Sequence, residues 1–213
     1  MSRLRITEIF FSLQGETRTV GLPTVFIRLT GCPLRCGYCD TAYAFQGGVW
    51  HDIDDILSEV AKYKTRYVTV SGGEPLAQKA CLELLTRLCD VNYEVSLETS
   101  GALDASHVDK RVVKVVDIKT PGSGEVEKNY FQNMQFIHAH DQIKFVICDR
   151  MDYEWAKEIM YKYQLPNLCQ VLFSPSYHDQ PAGELADWIL EDQLPVRMQI
   201  QLHKFLWGDA EGR

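Results

Sequence analysis

The sequence predicts an α/β fold: a partial, open, parallel β/α barrel of about six strands in which some crossover helices are reduced. Three observations predict it. Short apolar, β-branched runs recur along the chain, amphipathic segments of helical spacing lie between several of them, and 213 residues are too few for eight complete strand–helix units. The runs are TVFIRL (24–29), RYVTVSG (66–72), YEVSLET (93–99), RVVKVVDIK (111–119), QIKFVIC (142–148), LCQVLFS (168–174) and VRMQIQL (196–202), each read as a buried strand. The segments DIDDILSEVAKYK (52–64), LAQKACLELLTRLCD (76–90), MDYEWAKEIMYKY (151–163) and AGELADWILED (182–192) supply the helices. Such alternation is the signature of right-handed βαβ crossovers. Around ALDASH (102–107) and NYFQNMQFIHAH (129–140) the periodicity weakens, so crossovers without a full helix are expected there. PGSGE (121–125) reads as a flexible loop. With no linker, repeat or low-complexity segment, residues 1–213 are expected to form a single domain. The working face of a TIM-like barrel is the C-terminal end of its strands, and each polar motif below falls at such an end or in the following loop.

A formal net charge of −7 disfavours a surface that neutralises a nucleic-acid backbone or anionic lipid, because both need clustered cations. The N-terminal MSRLRITEIF has no apolar signal region, and no stretch approaches the roughly 20 apolar residues that span a bilayer. A cytoplasmic protein without nucleic-acid or membrane partners is therefore expected. The six histidines are scattered singly, and no Ser/His/Asp set presents itself.

Three of the seven cysteines, Cys32, Cys36 and Cys39, crowd into GCPLRCGYCDT (31–41) with the spacing C-x3-C-x2-C. Cys81, Cys89, Cys148 and Cys169 sit among apolar neighbours and read as core thiols. Structural zinc takes four closed ligands, and a ferredoxin gives four thiolates to each cubane. Three thiolates on a short loop instead suit a [4Fe–4S] cluster with one iron open to an exchangeable ligand. The alternative is a zinc knuckle completed by His51, His138, His140 or His203. Gly31 and Gly37 are expected to let the loop curl, with Pro33 stiffening it. SGGEP (71–75) follows an apolar run, and its glycines would admit a ligand close to the backbone; otherwise it is a turn in which Glu74 and Pro75 open a helix.

The cysteine loop, with Tyr38 before its last thiol, and the SGGEP motif resemble the radical S-adenosylmethionine superfamily. That resemblance implies that the open iron binds S-adenosylmethionine and that one electron splits its sulfonium to a 5′-deoxyadenosyl radical. EIFFSLQGE (8–16), Arg28 in FIRLTGC, and Asp40-Thr41 resemble, within it, the 7-carboxy-7-deazaguanine synthase family, with similarity running from residue 8 to about residue 204. The implied activity is ring contraction of 6-carboxy-5,6,7,8-tetrahydropterin to 7-carboxy-7-deazaguanine with loss of ammonia. It begins with hydrogen abstraction from C6 by the 5′-deoxyadenosyl radical, and the rearranged substrate radical later takes that hydrogen back from 5′-deoxyadenosine, which regenerates the cofactor. Leu13, Gln14, Gly15, Glu16, Arg28 and Ser71 are the implied substrate contacts. Their chemistry fits, since a pterin edge needs amide, backbone and carboxylate partners and Arg forms paired hydrogen bonds to a carboxylate. Tyr38, Cys39, Asp40, Gly73, Asp117, Ile118, Lys119 and Ser174 are the implied cofactor contacts. Some relatives have Ser-Pro-Lys at Asp117-Ile118-Lys119 and Gln-Pro at Ser174-Pro175, changes that backbone contacts survive. Thr41 is implied to hold Mg²⁺, a helix N-cap at Thr41 or Asp40 being the alternative, and Glu98 in LETSG is a ribose or amine candidate. The closing segment resembles the family through His203 and Lys204, and the further GDAEGR carries no implied substrate contact. A homodimer and an electron donor such as flavodoxin or ferredoxin complete what the resemblance implies.

Two other readings stay open. A glycyl-radical-type activating enzyme shares C-x3-C-x2-C but would need an open groove for a protein partner. A non-catalytic iron–sulfur or zinc module would need no S-adenosylmethionine.

Overall fold

A computed structural model describes residues 2–210 and 212, so Glu211 and Arg213 of the closing GDAEGR lie outside the described residues. Nine strands form one sheet in the order β3-β1-β2-β4-β5-β6-β7-β8-β9. They are β1 (Arg3–Leu13), β2 (Pro23–Leu29), β3 (Val49–Asp52), β4 (Tyr67–Gly72), β5 (Glu94–Thr99), β6 (Val113–Asp117), β7 (Gln142–Ile147), β8 (Gln170–Pro175) and β9 (Arg197–Met198). From β2 to β9 every neighbouring pair is parallel, which is the expected partial barrel. Two antiparallel strands extend its first edge: β1 pairs with β2 from Ile6↔Leu29 to Leu13↔Pro23, and β3 pairs with β1. Neither was expected as a strand from the sequence.

The helices are α1 (Ile53–Val60), α2 (Cys81–Asp90), α3 (Arg150–Lys162), α4 (Leu165–Leu168), α5 (Ala182–Glu191) and α6 (Leu202–Trp207). The four long ones lie within two residues of the predicted segments at most ends; α2 starts later because Pro75–Ala77 forms a separate 3-10 turn. Asp149 caps α3, its carboxylate accepting from Asp152 N at 2.9 Å. The two weakly periodic crossovers behave as expected: none of residues 100–112 is helical, and β6 reaches β7 through 3-10 turns at Pro121–Ser123, Val126–Lys128 and Phe131–Phe136.

Period-two alternation decides which strand face does what. Val25, Ile27, Val70, Val95 and Leu97 pack against α1 and α2, and Ile143, Phe145, Val171 and Phe173 pack against α3 and α5, giving two core clusters along one sheet. Burying one such side chain contributes about 2 kcal/mol. The intervening residues, Arg28, Ser71, Glu98, Asp117, Lys144 and Ser174, turn to the other face and line a cavity at the C-terminal strand ends.

Three expectations change. VRMQIQL is a strand only at Arg197–Met198: Gln199 N still bonds to Phe173 O of β8, and the chain then turns into α6. PGSGE is anchored rather than loose: Gly122 N donates to Asp152 Oδ1 at 2.8 Å, Thr120 Oγ1 to Asp152 Oδ2 at 2.9 Å, and Gly37 N to Ser123 O at 3.0 Å. Gly31 has φ +98° and needs to be glycine, whereas Gly37 has no such conformation and its missing Cβ would meet nothing nearer than 4.0 Å. Among the described residues no helix is long and apolar enough to cross a membrane.

Candidate active site

The cavity, about 650 Å³, opens where the parallel strands end. One wall is the cysteine loop between β2 and the 3-10 turn Ala42–Phe45, and Cys32, Cys36 and Cys39 all line the cavity. Burial pushes the Cys32 and Cys36 thiols up, so a positive metal would be needed to hold them as thiolates at neutral pH. Cys81, Cys89 and Cys169 are buried in the core as expected, while Cys148 is only half-buried at the end of β7 with its thiol pushed up to about 12 by burial.

SGGEP seats this loop. A Cβ on Gly73 would stand 2.1 Å from Gly31 O, so the end of β4 passes the cysteine loop at a separation only glycine allows. Glu74 N then donates to Gly31 O at 2.8 Å. The Glu74 side chain is fully buried, caps the Pro75–Ala77 turn through Leu76 N, and accepts from Thr99 Oγ1, Ser100 N and Ser100 Oγ. It fastens the end of β4 to the end of β5. Close approach of backbone to backbone is thus a sufficient reason for Gly73, alongside the ligand approach expected from the sequence.

Another part of the lining is polar. Gln14, 2 % exposed, donates from Nε2 to Thr69 Oγ1 at 3.0 Å and to Glu98 Oε1 at 3.3 Å, and its Oε1 accepts from Glu16 N at 3.0 Å. Ser71 Oγ donates to the other Glu98 oxygen at 3.1 Å. Glu98 therefore stands with the expected substrate contacts rather than with the cofactor contacts. Glu16 accepts from Lys144 Nζ and from Gln201 Nε2, each at 2.9 Å. Lys144 continues to Asp117 at 3.6 Å, and Asp117 to Lys119 at 3.0 Å. Burial is the largest influence on Lys119 and opposes its charge, but Asp117 and Cys36 together prevail and the ammonium is held above its usual range. Arg28 lines the cavity while its Nε donates to Glu8 Oε1 at 2.6 Å, so it is both ion-paired and facing the site.

The last wall comes from the segment after β9. Gln201 Nε2 also reaches Asp40 Oδ2 at 3.1 Å, joining Glu16 to the cysteine loop. His203 packs on Gly15, whose missing Cβ would stand 2.1 Å from Nδ1, and Leu202 N donates to Gly15 O. Thr41 Oγ1 donates to Asp40 Oδ1 at 2.8 Å, and neither side chain caps the turn that follows. Two buried oxygens, Tyr38 Oη and Asp117 Oδ1, find no hydrogen-bond partner among the described residues, and both residues line the cavity.

The Radical SAM superfamily pattern matches residues 26–117. The chain is 42% identical to the 7-carboxy-7-deazaguanine synthase of Koribacter versatilis, over 96% of this chain and 97% of that protein. It is equally similar to that of Chlorobaculum tepidum, over 98% of this chain and 97% of the other. The chain belongs to the 7-carboxy-7-deazaguanine synthase family. Among solved structures the fold resembles the crystal structure of QueE from Escherichia coli, with a TM-score of 0.77 at 22% identity over 93% of this chain and 94% of that one.

As a radical S-adenosylmethionine protein, a 7-carboxy-7-deazaguanine synthase implies a [4Fe–4S] cluster and S-adenosylmethionine. The residues fit both: three thiols line one cavity, and unpartnered buried oxygens at Tyr38 and Asp117 stand beside them. Among the described residues no three His, Cys, Asp or Glu side chains converge on a single ion, as a zinc knuckle requires. Of its candidate histidines only His203 lines the cavity; His138 and His140 stack on each other elsewhere.

Every site residue expected from the sequence lines the cavity except Ile118, whose side chain is fully buried in the second core cluster and whose N donates to Lys144 O at 2.8 Å. Ser174 lines it with its hydroxyl already given to Gln199 O. Lys144 and Gln201 were not singled out. A lysine inside the apolar run QIKFVIC was the available signal for the first; the second lay in a run read as strand.

Proposed function

We infer that this chain is a radical S-adenosylmethionine carbon–nitrogen lyase that converts 6-carboxy-5,6,7,8-tetrahydropterin to 7-carboxy-7-deazaguanine and ammonia, in queuosine and 7-deazapurine biosynthesis. The carrying observation is one cavity lined by three thiols together with Gln14, Glu16, Glu98 and Arg28. A partner-protein groove, which an activating enzyme needs, has no use for that polar set. When bound, the cluster and S-adenosylmethionine supply the one-electron chemistry that starts ring contraction.

The chain's own residues bind, orient and exclude water. Cys32, Cys36 and Cys39 hold the cluster. Gly73, Tyr38, Asp40, Asp117, Lys119 and the backbone at Ile118 and Ser174 hold S-adenosylmethionine, with the unpartnered Asp117 oxygen available to one of its donors. Glu16, kept ionised, accepts from the pterin's N–H edge; Leu13, Gln14, Gly15 and Ser71 complete that edge, and Arg28 receives the carboxylate. Thr41 offers a hard oxygen at the cavity wall and is assigned to Mg²⁺, which would orient the substrate. The residues from 1 to 213 act as a single cytoplasmic domain in a homodimer, reduced by a donor of the flavodoxin or ferredoxin kind.

The deciding experiment is anaerobic: reconstituted protein with the carboxytetrahydropterin, S-adenosylmethionine and a reductant should release a deazaguanine product and ammonia in equal amounts. Reductive cleavage of S-adenosylmethionine without deazaguanine would overturn the pterin assignment and leave the superfamily assignment standing.

A further inference from the structure

Lys144 rises from β7 between Ile143 and Phe145, both fully buried, and turns its ammonium into the cavity. There it meets carboxylates from two other elements: Glu16 at 2.9 Å from the loop after β1, and Asp117 at 3.6 Å from the end of β6. The second Glu16 oxygen accepts from Gln201, so both of its oxygens are held, one by a cation. Glu98 on the same wall is held by the neutral donors Gln14 and Ser71. Glu16 and Glu98 are thus two carboxyls in different settings, one paired with a cation and one held by neutral donors, and Lys144 makes the difference.

We propose that Lys144 is a positioning residue: it fixes Glu16 as an acceptor-only carboxylate that reads the N–H edge of the pterin, leaving Glu98 as the carboxyl of that wall free to take or give a proton. The inference rests on Glu16 being a substrate contact. An ionised carboxylate accepts and cannot donate, so its charge state decides which edge of a heterocycle it can read. A structural role alone explains the lysine poorly, since a buried ion pair is seldom more stabilising than apolar residues of the same volume.

The surrounding charges agree. Burial would raise the Glu16 carboxyl, but the Lys144 ammonium and the hydrogen bonds from Lys144 and Gln201 outweigh it and hold Glu16 below its usual range. Glu98 is raised, by burial first and by the Glu16 charge second, with Lys144 and Arg28 only partly offsetting them. Lys144 itself is held above its usual range: burial opposes its charge, and Glu16, Asp117 and Glu98 together prevail. From α6, His203 also faces Glu16; its imidazole is pushed down by burial, against the pull of Glu16 and Asp40, with Lys204 adding to the lowering.

The test is calorimetric binding of the carboxytetrahydropterin to anaerobic, cluster-loaded protein without reductant, from about pH 6 to about pH 9. Wild type should bind with nearly constant affinity. Lys144→Gln should bind at least roughly tenfold more weakly at the acid end and recover toward wild type at the alkaline end, as Glu16 regains its charge. Lys144→Arg should restore the flat profile. A loss equal at every pH, or no loss, overturns the proposal. Glu16→Gln separates the underlying reading: it should bind weakly throughout, and wild-type affinity in that variant removes Glu16 as a contact whatever Lys144 does. If Lys144→Gln fails to fold, carboxyl carbon-13 resonances of the wild type, assigned with Glu16→Gln and Glu98→Gln, decide. Glu16 should ionise at lower pH than Glu98, and the reverse order overturns the proposal.

Discussion

On the cysteine side of the cavity many of the fastening contacts run between main-chain atoms, with the buried Glu74 side chain behind them, whereas among the carboxylates most run between side chains. Gly31 N bonds to Ala44 O, Glu74 N to Gly31 O and Gly37 N to Ser123 O, and Gly73 lets two backbones pass closely. Elsewhere in the lining, Gln14, Glu16, Glu98, Lys144 and Gln201 are tied by side-chain bonds spanning 84 to 185 residues of sequence. A main-chain frame tolerates little displacement, which suits a rigid inorganic group. A side-chain network sets charge and hydrogen-bonding direction, which suits discrimination between heterocycles.

Substitutions should separate the two sides. The largest effect is expected from Cys36→Ala, which leaves too few thiolates: the iron–sulfur absorbance and all turnover should vanish while pterin binding persists. Gly73→Ala should come next, because its new Cβ meets the backbone of Gly31 on a strand end that is itself fixed; a loss of about 1–3 kcal/mol in unfolding free energy and reduced cluster content are expected. Gly15→Ala supplies the contrast. Its Cβ meets the His203 imidazole, a side chain that can turn away, so cluster content should stay normal while pterin affinity falls. Gln201→Leu should lower pterin affinity roughly tenfold, the ~1.4 kcal/mol of a hydrogen bond to a charged group, with the cluster spectrum unchanged. If Gln201→Leu instead bleaches the cluster, the two sides are not separable.

The smallest effect belongs to neither side. Asp109 is held at about 2 by hydrogen bonds from Arg111, below its ordinary 3.8. A depressed carboxyl contributes stability above its unfolded value and loses it as pH falls through the folded one. Asp109→Asn should therefore lower stability slightly near neutral pH, where the ionised carboxylate contributes fully, and leave it unchanged below about pH 2, where Asp109 is protonated in the wild type too, as measured by chemical denaturation followed by circular dichroism.

The same contrast explains what could be read from the chain alone. Cys32, Cys36, Cys39 and SGGEP are local patterns, and seven apolar runs marked all seven parallel strands, so the frame of the fold and the main-chain side of the cavity were legible. β1 and β3 were missed because they join the sheet antiparallel at its edge, where burial is incomplete and the apolar run is broken. Lys144 and Gln201 were missed for a different reason: nothing near either residue states which carboxylate it will meet, since Glu16 lies 128 and 185 positions away. Asp117, where some relatives have serine, lines the cavity with one oxygen unpartnered among the described residues.

The brace at Gln201 also orders events on the ribosome. Its two carboxylate partners, Asp40 and Glu16, are translated 161 and 185 residues earlier, roughly 10–40 seconds at ~5–20 residues per second. Throughout that interval a nascent chain carries Cys32, Cys36 and Cys39 but lacks the cross-tie. The tie that joins Glu16 to the cysteine loop is therefore among the last of these contacts that synthesis makes available.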